Sequence, residues 1–161
     1  DIIIHMIDVK KAFQDATDHL VDDIAALGDD VVNMVQHMRQ SMTLPTVRMA
    51  MVPSFHQMNF YPSRGFCEIA SLLWIYHMGD AWDLMQIRGT DWSHGPHFYT
   101  RHRISGQIID ITVDQYSIRN LTVPYHLGQR VEIDRRRKKL LDMYLNVFRC
   151  RKNEMESKAH V

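Results

Sequence analysis

Gly65-Phe66-Cys67-Glu68-Ile69-Ala70-Ser71-Leu72-Leu73-Trp74-Ile75-Tyr76-His77-Met78-Gly79 is the stretch on which the fold turns. The approach, Tyr61-Pro62-Ser63-Arg64, is rich in breakers, and the apolar run that follows is stopped by Gly79. The pattern predicts a helix with Cys67 in or just before its first turn. Unpaired backbone N–H groups and the helix dipole favour an anion there, so a thiol at that point is biased towards the reactive thiolate, and Arg64, one turn back, adds to the field. A cysteine is also an ordinary core residue. Cys150, in Leu145-Asn146-Val147-Phe148-Arg149-Cys150-Arg151, fits that plainer account, with no breaker before it.

Thirty residues on comes Gly95-Pro96-His97-Phe98-Tyr99-Thr100-Arg101-His102-Arg103-Ile104, then Ser105-Gly106, then Gln107-Ile108-Ile109-Asp110-Ile111-Thr112-Val113. Aromatic and β-forming residues on both sides of a Ser-Gly pair predict a β-hairpin. Parity puts His97, Tyr99 and Arg101 on one face and Phe98, Thr100 and His102 on the other. A two-residue turn would set Arg101 opposite Asp110 and His97 opposite Asp114. Both aspartates then share the face of His97, and a longer turn or a bulge would bring Asp110 up to it. The order of thiol, imidazole and carboxylate along the chain is that of a nucleophile, its base and the group that orients the base.

Taken together, Gly65-Phe66-Cys67-Glu68-Ile69-Ala70-Ser71, His97-Phe98-Tyr99 and Ile108-Ile109-Asp110-Ile111-Thr112-Val113-Asp114-Gln115-Tyr116 resemble the core of the papain-like and transglutaminase-like cysteine hydrolases. The likeness is to small bacterial and phage members with a Cys-x-x-Ala-Ser helix, a His-aromatic strand and an Ile-Asp-x-Thr-x-Asp-Gln-aromatic strand. It spans about the middle third of the chain, and its last segment is the most specific. The resemblance implies Cys67 as nucleophile, His97 as general base and then acid, and Asp110 as the group orienting the imidazole, with Asp114 and Gln115 on the supporting strand. The sequence departs from the papain pattern in lacking a glutamine shortly before the nucleophile. Gln57 is the nearest upstream, so the oxyanion donors expected are the Cys67 N–H and either Gln57 or Asn59, and Trp92 is placed to line the substrate site.

Such a site attacks an amide or ester carbonyl, holds the oxyanion with N–H donors and forms a thioester as the imidazole protonates the leaving amine. Release by water makes a cysteine peptidase, amidase or deamidase. Release by an amine makes a transglutaminase-like acyltransferase. A protein or peptide substrate is implied, and no cofactor is expected. The rival class is a non-catalytic interaction module on the same fold.

His94, His97 and His102 lie close in sequence, yet His97 and His102 point to opposite faces of a strand, and no His-Glu-x-x-His or paired Cys-x-x-Cys occurs, so no metal site is expected. The remaining histidines are scattered. The 161 residues carry a formal net charge of +0 and a pI near 7.3, which gives no global pull towards nucleic acid or an acidic membrane. The two distant cysteines give no disulfide framework, and no membrane span or secretory signal is visible, so the expected compartment is the cytoplasm. His5-Met6 is what a common cloning site leaves, so residues 1–6 are set aside as a vector remnant, residues 7–151 are read as one catalytic-type domain and residues 152–161 as a flexible tail.

Around the core, Val9, Ala12, Phe13, Ala16, Leu20, Ile24 and Leu27 recur at helical spacing up to Gly28, and Asp29 or Asp30 is expected to cap a second helix bearing Val31, Val35, Met38 and Met42. Thr46 to Val52 reads as a short strand before a loop, Gly79 to Gly89 as either helix or strand, and Leu121 to Gly128 as a further edge strand. A closing helix from Asp134 to about Arg151 begins with Arg135-Arg136-Arg137-Lys138-Lys139, whose side chains fan round the axis and are expected to be solvated. The fold class expected is α+β: a papain-like or transglutaminase-like core, its nucleophile helix packed on a small antiparallel sheet, with an N-terminal helical hairpin and a C-terminal helix.

Overall fold

An apolar helix needs burial on every side, and that requirement organises the molecule. In a computed structural model, which describes residues 8–53, 61–89 and 95–159, with side chains through Val147, the fold is mixed α+β. The chain order is α1 (Val9–Ile24), a 3-10 turn (Ala25–Leu27), α2 (Asp29–Ser41), α3 (Pro45–Met51), α4 (Cys67–Met78), β1 (Trp82–Ile87), β2 (His97–His102), β3 (Ile108–Ile109), α5 (Asp114–Ser117), a second 3-10 turn (Tyr125–Leu127), β4 (Gln129–Arg130) and α6 (Arg135–Ala159). The four strands form one antiparallel sheet in the order β3-β2-β1-β4.

Helix α4 lies at the centre, with every residue from Ile69 to Trp74 buried. Ile69, Ala70, Leu73 and Trp74 pack with Phe13, Ile24, Val35 and Met38 of the N-terminal helices and with Tyr144 of α6. Cys67 and Leu72 pack with Leu84 and Phe98 on one face of the sheet. The other face carries Met85, Ile87 and Tyr99 under Tyr116 and Val123, so the sheet is covered on both sides.

Local chemistry sets the ends of these elements. Asp8 caps α1 by accepting from the Lys11 N–H. Gly28, at φ 111°, ends the first helical segment and itself occupies the N-cap position of α2, so Asp29 and Asp30 fall inside the first turn instead of capping it. Thr46 to Val52, expected as a strand, is helical: Pro45 stands at the first position of α3, where its missing N–H costs nothing, and Leu44 before it is extended. Gly79 to Gly89 resolves as strand, with Trp82 edge-on to Trp74 at 5.3 Å between ring centroids.

The hairpin turn is longer than two residues. The His102 N–H donates to the Gln107 carbonyl at 2.8 Å and the Gly106 N–H to the His102 carbonyl at 2.9 Å, enclosing Arg103-Ile104-Ser105-Gly106. Arg101 therefore faces Ile108 and Thr100 faces Ile109, a slide that keeps parity and moves Asp110 nearer to His97. The expected strand to Val113 stops at Ile109. Asp110 to Val113 turn, and Asp114 and Gln115 open α5 instead of continuing a strand. Asn120, at φ 56°, then lets the Leu121 N–H reach back to the Tyr116 carbonyl. Leu121 to Gly128 is a loop and a 3-10 turn, not an edge strand; Pro124 withholds a donor there, and the edge strand β4 follows it. Residues 152–159, read as tail, continue α6.

The turn after β3 is fixed from the far side of the molecule. All five N–H donors of Arg39, a fully buried α2 residue, are used: Nε on Thr17 Oγ1 (2.7 Å), Nη1 on the Ile111 carbonyl (2.7 Å) and Asp114 Oδ1 (3.0 Å), Nη2 on the Phe13 carbonyl (3.1 Å) and Asp114 Oδ2 (2.8 Å). The Tyr61 hydroxyl also donates to Asp114 Oδ2. Burial and the Asp114 charge keep that phenol protonated far above the ordinary tyrosine range. Asp114, one of two carboxylates considered for the third catalytic role, is thus committed to Arg39 and Tyr61.

Candidate active site

Cys67 opens α4 because the chain before it is already turning. The Arg64 N–H donates to the Tyr61 carbonyl at 3.0 Å and the Phe66 N–H to the Ser63 carbonyl at 3.1 Å, with Gly65 at φ 85°. The first turn of α4 then has no intrahelical acceptors for its N–H groups, and its electropositive end lies at the thiol. Cys67 Sγ donates to the Pro96 carbonyl at 3.7 Å, which ties the start of α4 to the residue before His97.

His97 is the first residue of β2, 3% exposed. Its ring stands on the sheet face opposite Phe98, edge-on to Tyr116 at 4.9 Å and stacked towards Tyr99 at 6.5 Å. The imidazole also has the Cys67 thiol as a hydrogen-bonding neighbour, although Cys67 packs with Phe98 on the other face. Nε2 lies 2.8 Å from Asp110 Oδ2, and Nδ1 lies 3.1 Å from Gln115 Oε1. Gln115 donates through Nε2 to the Ser63 carbonyl at 2.6 Å, in the loop leading to Cys67. Asp110 Oδ2 also accepts from the Tyr125 hydroxyl at 2.8 Å. Among the described residues Asp110 Oδ1 is buried without a hydrogen-bond partner, and an under-solvated carboxylate holds a neighbouring cation more tightly.

The electrostatics follow from these contacts. Burial alone would push His97 down, but the Asp110 charge, its hydrogen bond, and the hydrogen bond and charge of Cys67 outweigh it and raise the imidazole from 6.5 to about 10. Both ring nitrogens face acceptors, as an imidazolium requires. Burial, with Asp110 second, holds the Tyr125 phenol far above its ordinary range, so it remains a donor to the carboxylate. Burial and the charges of Asp110 and Cys67 raise Tyr116 in the same way.

The structure thus brings Cys67, His97 and Asp110 together. Gln57, Asn59, Trp92 and His94 lie outside the described residues. His102 sits on the opposite face from His97, accepting at Nδ1 from the Ser105 backbone N–H at 3.1 Å. No three His, Cys, Asp or Glu side chains form a metal-holding group among the described residues, and no described helix is long and apolar enough to cross a membrane. The contacts of Gln115 and Tyr125 were not foreseen. Gln115 stood in the Asp-Gln-aromatic signature and carried a signal, whereas Tyr125 lay in a segment read as strand and carried none.

The basic run is not a purely solvated face. Arg136 and Arg137 both reach Glu68, the residue after Cys67, at 3.3 and 3.4 Å. Arg137 is largely buried and stands 5.7 Å over the Phe98 ring. A negative charge in the first turn of α4 is therefore neutralised by α6.

Compared with protein-family models, with curated proteins and with solved structures, the chain matches none of them.

Proposed function

We propose that this chain is a thiol-dependent hydrolase or acyltransferase acting on amide bonds, built on a papain-like or transglutaminase-like core with Cys67, His97 and Asp110 as its triad. The observation that carries the reading is the 2.8 Å contact of His97 Nε2 with Asp110 beside a thiol at a helix N-terminus. With Nε2 committed to Asp110, Nδ1, which rests on Gln115 Oε1, is the nitrogen that serves the sulfur and the leaving group. In the reaction, Cys67 Sγ as thiolate adds to the carbonyl carbon, and first-turn N–H groups of α4 donate to the developing oxyanion. Collapse breaks the C–N bond while His97 gives its proton to the departing amine, leaving a thioester and a neutral imidazole. Water then attacks, His97 takes its proton, and the acid departs with the thiolate restored. An amine in place of water gives transfer. The imidazolium at neutral pH suits the first step, which needs an acid.

A second reading, a non-catalytic interaction module on the same fold, is favoured by the burial of the thiol, which is 8% exposed.

The rate of iodoacetamide alkylation at Cys67 against Cys150, followed by peptide mass spectrometry across pH in the parent and in His97→Ala and His97→Gln, separates the two. The hydrolase reading expects Cys67 to stay reactive at mildly acidic pH, where an ordinary thiol is protonated, and to lose that reactivity in both variants. An inert Cys67, or one indifferent to His97, sinks it.

A further inference from the structure

We propose that Gln115 is a positioning residue of this site, its side-chain carbonyl holding the Nδ1 edge of His97 while its amide holds the loop that enters Cys67. The inference takes its catalytic meaning from the thiol-dependent reading above, but the contact itself stands on geometry. Gln115 Oε1 is 3.1 Å from Nδ1 and Nε2 is 2.6 Å from the Ser63 carbonyl, so one amide bridges base and nucleophile loop. Neither function can be exchanged for the other. Turning the amide over would aim an N–H at the ring N–H and a carbonyl at a carbonyl.

The bridge has two effects on His97. Asp110 alone fixes one nitrogen and leaves the ring free to swing about that bond; a second acceptor at Nδ1 fixes the ring plane. Gln115 also supplies the resting acceptor for the proton that His97 is to deliver. Among the described residues the other groups facing the ring are Cys67 from α4, Tyr99 from its own strand, Tyr116 from α5, and Asp110, which carries Tyr125 on the same oxygen. The phenols are held neutral by burial, so among the described residues the charges that bear on His97 are those of Asp110 and Cys67, and Gln115 adds a dipole aligned with them.

The test is 15N NMR of the His97 ring during pH titration, in the parent, in Gln115→Met, which matches the length and can neither accept nor donate in the same way, and in Gln115→Glu, which keeps the acceptor and loses the donor to Ser63. In the parent, both ring nitrogens are expected to be protonated between pH 6.5 and 10. Gln115→Met lowers the midpoint by about one pH unit, the worth of a hydrogen bond to a charged group, and Gln115→Glu does not lower it. A midpoint unmoved by Gln115→Met, or lowered equally by both variants, overturns the inference. So does a neutral tautomer in the parent, a measurement that stands even if a variant fails to fold. Iodoacetamide alkylation of Cys67 in the same samples separates the failures: an inert parent thiol defeats the hydrolase reading while leaving the His97 and Gln115 coupling to the NMR.

Discussion

Nε2 of His97 and Oδ2 of Asp110 meet at 2.8 Å between side chains that are each 3% exposed, so a proton on the imidazole is held by an anion that water cannot screen. This contact links the site to the stability of the whole chain.

The folded-state imidazole binds its proton up to about pH 10, while an unfolded one releases it near 6.5. The stabilisation is therefore complete below pH 6.5 and is lost progressively as pH rises through 10. Urea midpoints should fall across that interval in the parent, and this fall should vanish in His97→Gln. A parent protein whose midpoint holds steady or rises there would contradict the charged pair.

Arg39 and Asp114 couple α2 to the turn carrying Asp110 and Gln115. Arg39→Met leaves the Asp114 charge buried and should destabilise the protein by about 3–5 kcal/mol, whereas Arg39→Met with Asp114→Leu should recover much of that loss. A double-mutant cycle by urea unfolding measures it, and additive single effects would show that the two residues are uncoupled.

Gly128 is required for space, not for backbone freedom: its φ is −67°, and an added Cβ would fall on the Tyr99 hydroxyl. That hydroxyl donates to the Tyr125 carbonyl at 3.1 Å, and Tyr125 in turn holds Asp110. Gly128→Ala should cost about 1–3 kcal/mol through overpacking, and Tyr99→Phe in the Gly128→Ala background should restore part of it. Thermal unfolding of the three proteins checks this, and full stability of Gly128→Ala would exclude the overlap.

Two arginines on one glutamate should behave differently. Arg136 is 64% exposed and Arg137 14%, with Glu68 at 16%. Arg136→Ala should change stability by about 0–1 kcal/mol and lose even that in high salt. Arg137→Ala should cost more and respond less to salt, because it also uncovers Phe98. Chemical denaturation at two ionic strengths discriminates them; equal effects would refute the assigned burial.

The sequence is legible here where periodicity and punctuation agree. Gly65 and Gly79 bound the Cys67 helix, apolar spacing marks α1 and α2, and strand parity puts Asp110 on the face of His97. Thr46 to Val52 misled because its Thr and Val residues suit a strand, while the deciding signal, Pro45 at a helix start, is a single residue. The choice between Asp110 and Asp114 rested on the hairpin register, and a four-residue turn has no signature in Ser-Gly. Arg39 was invisible for a different reason. An arginine between Met38 and Gln40 reads as a solvated position, and only the far turn supplies its acceptors. Tyr125 was hidden likewise, its value lying in a carboxylate fifteen residues back.

The reach of Arg39 has a further consequence for how the chain is made. Synthesis delivers α1 and α2 before α5, with a guanidinium set among apolar side chains and its carboxylate still 75 residues from being translated. Until Asp114 emerges that cation has Thr17 and the Phe13 carbonyl as acceptors but no counter-charge, so the nascent hairpin gains by staying loose. The helical hairpin is thus made before the turn that neutralises it, and it gains its ion pair in the same event that turns Asp110 towards His97.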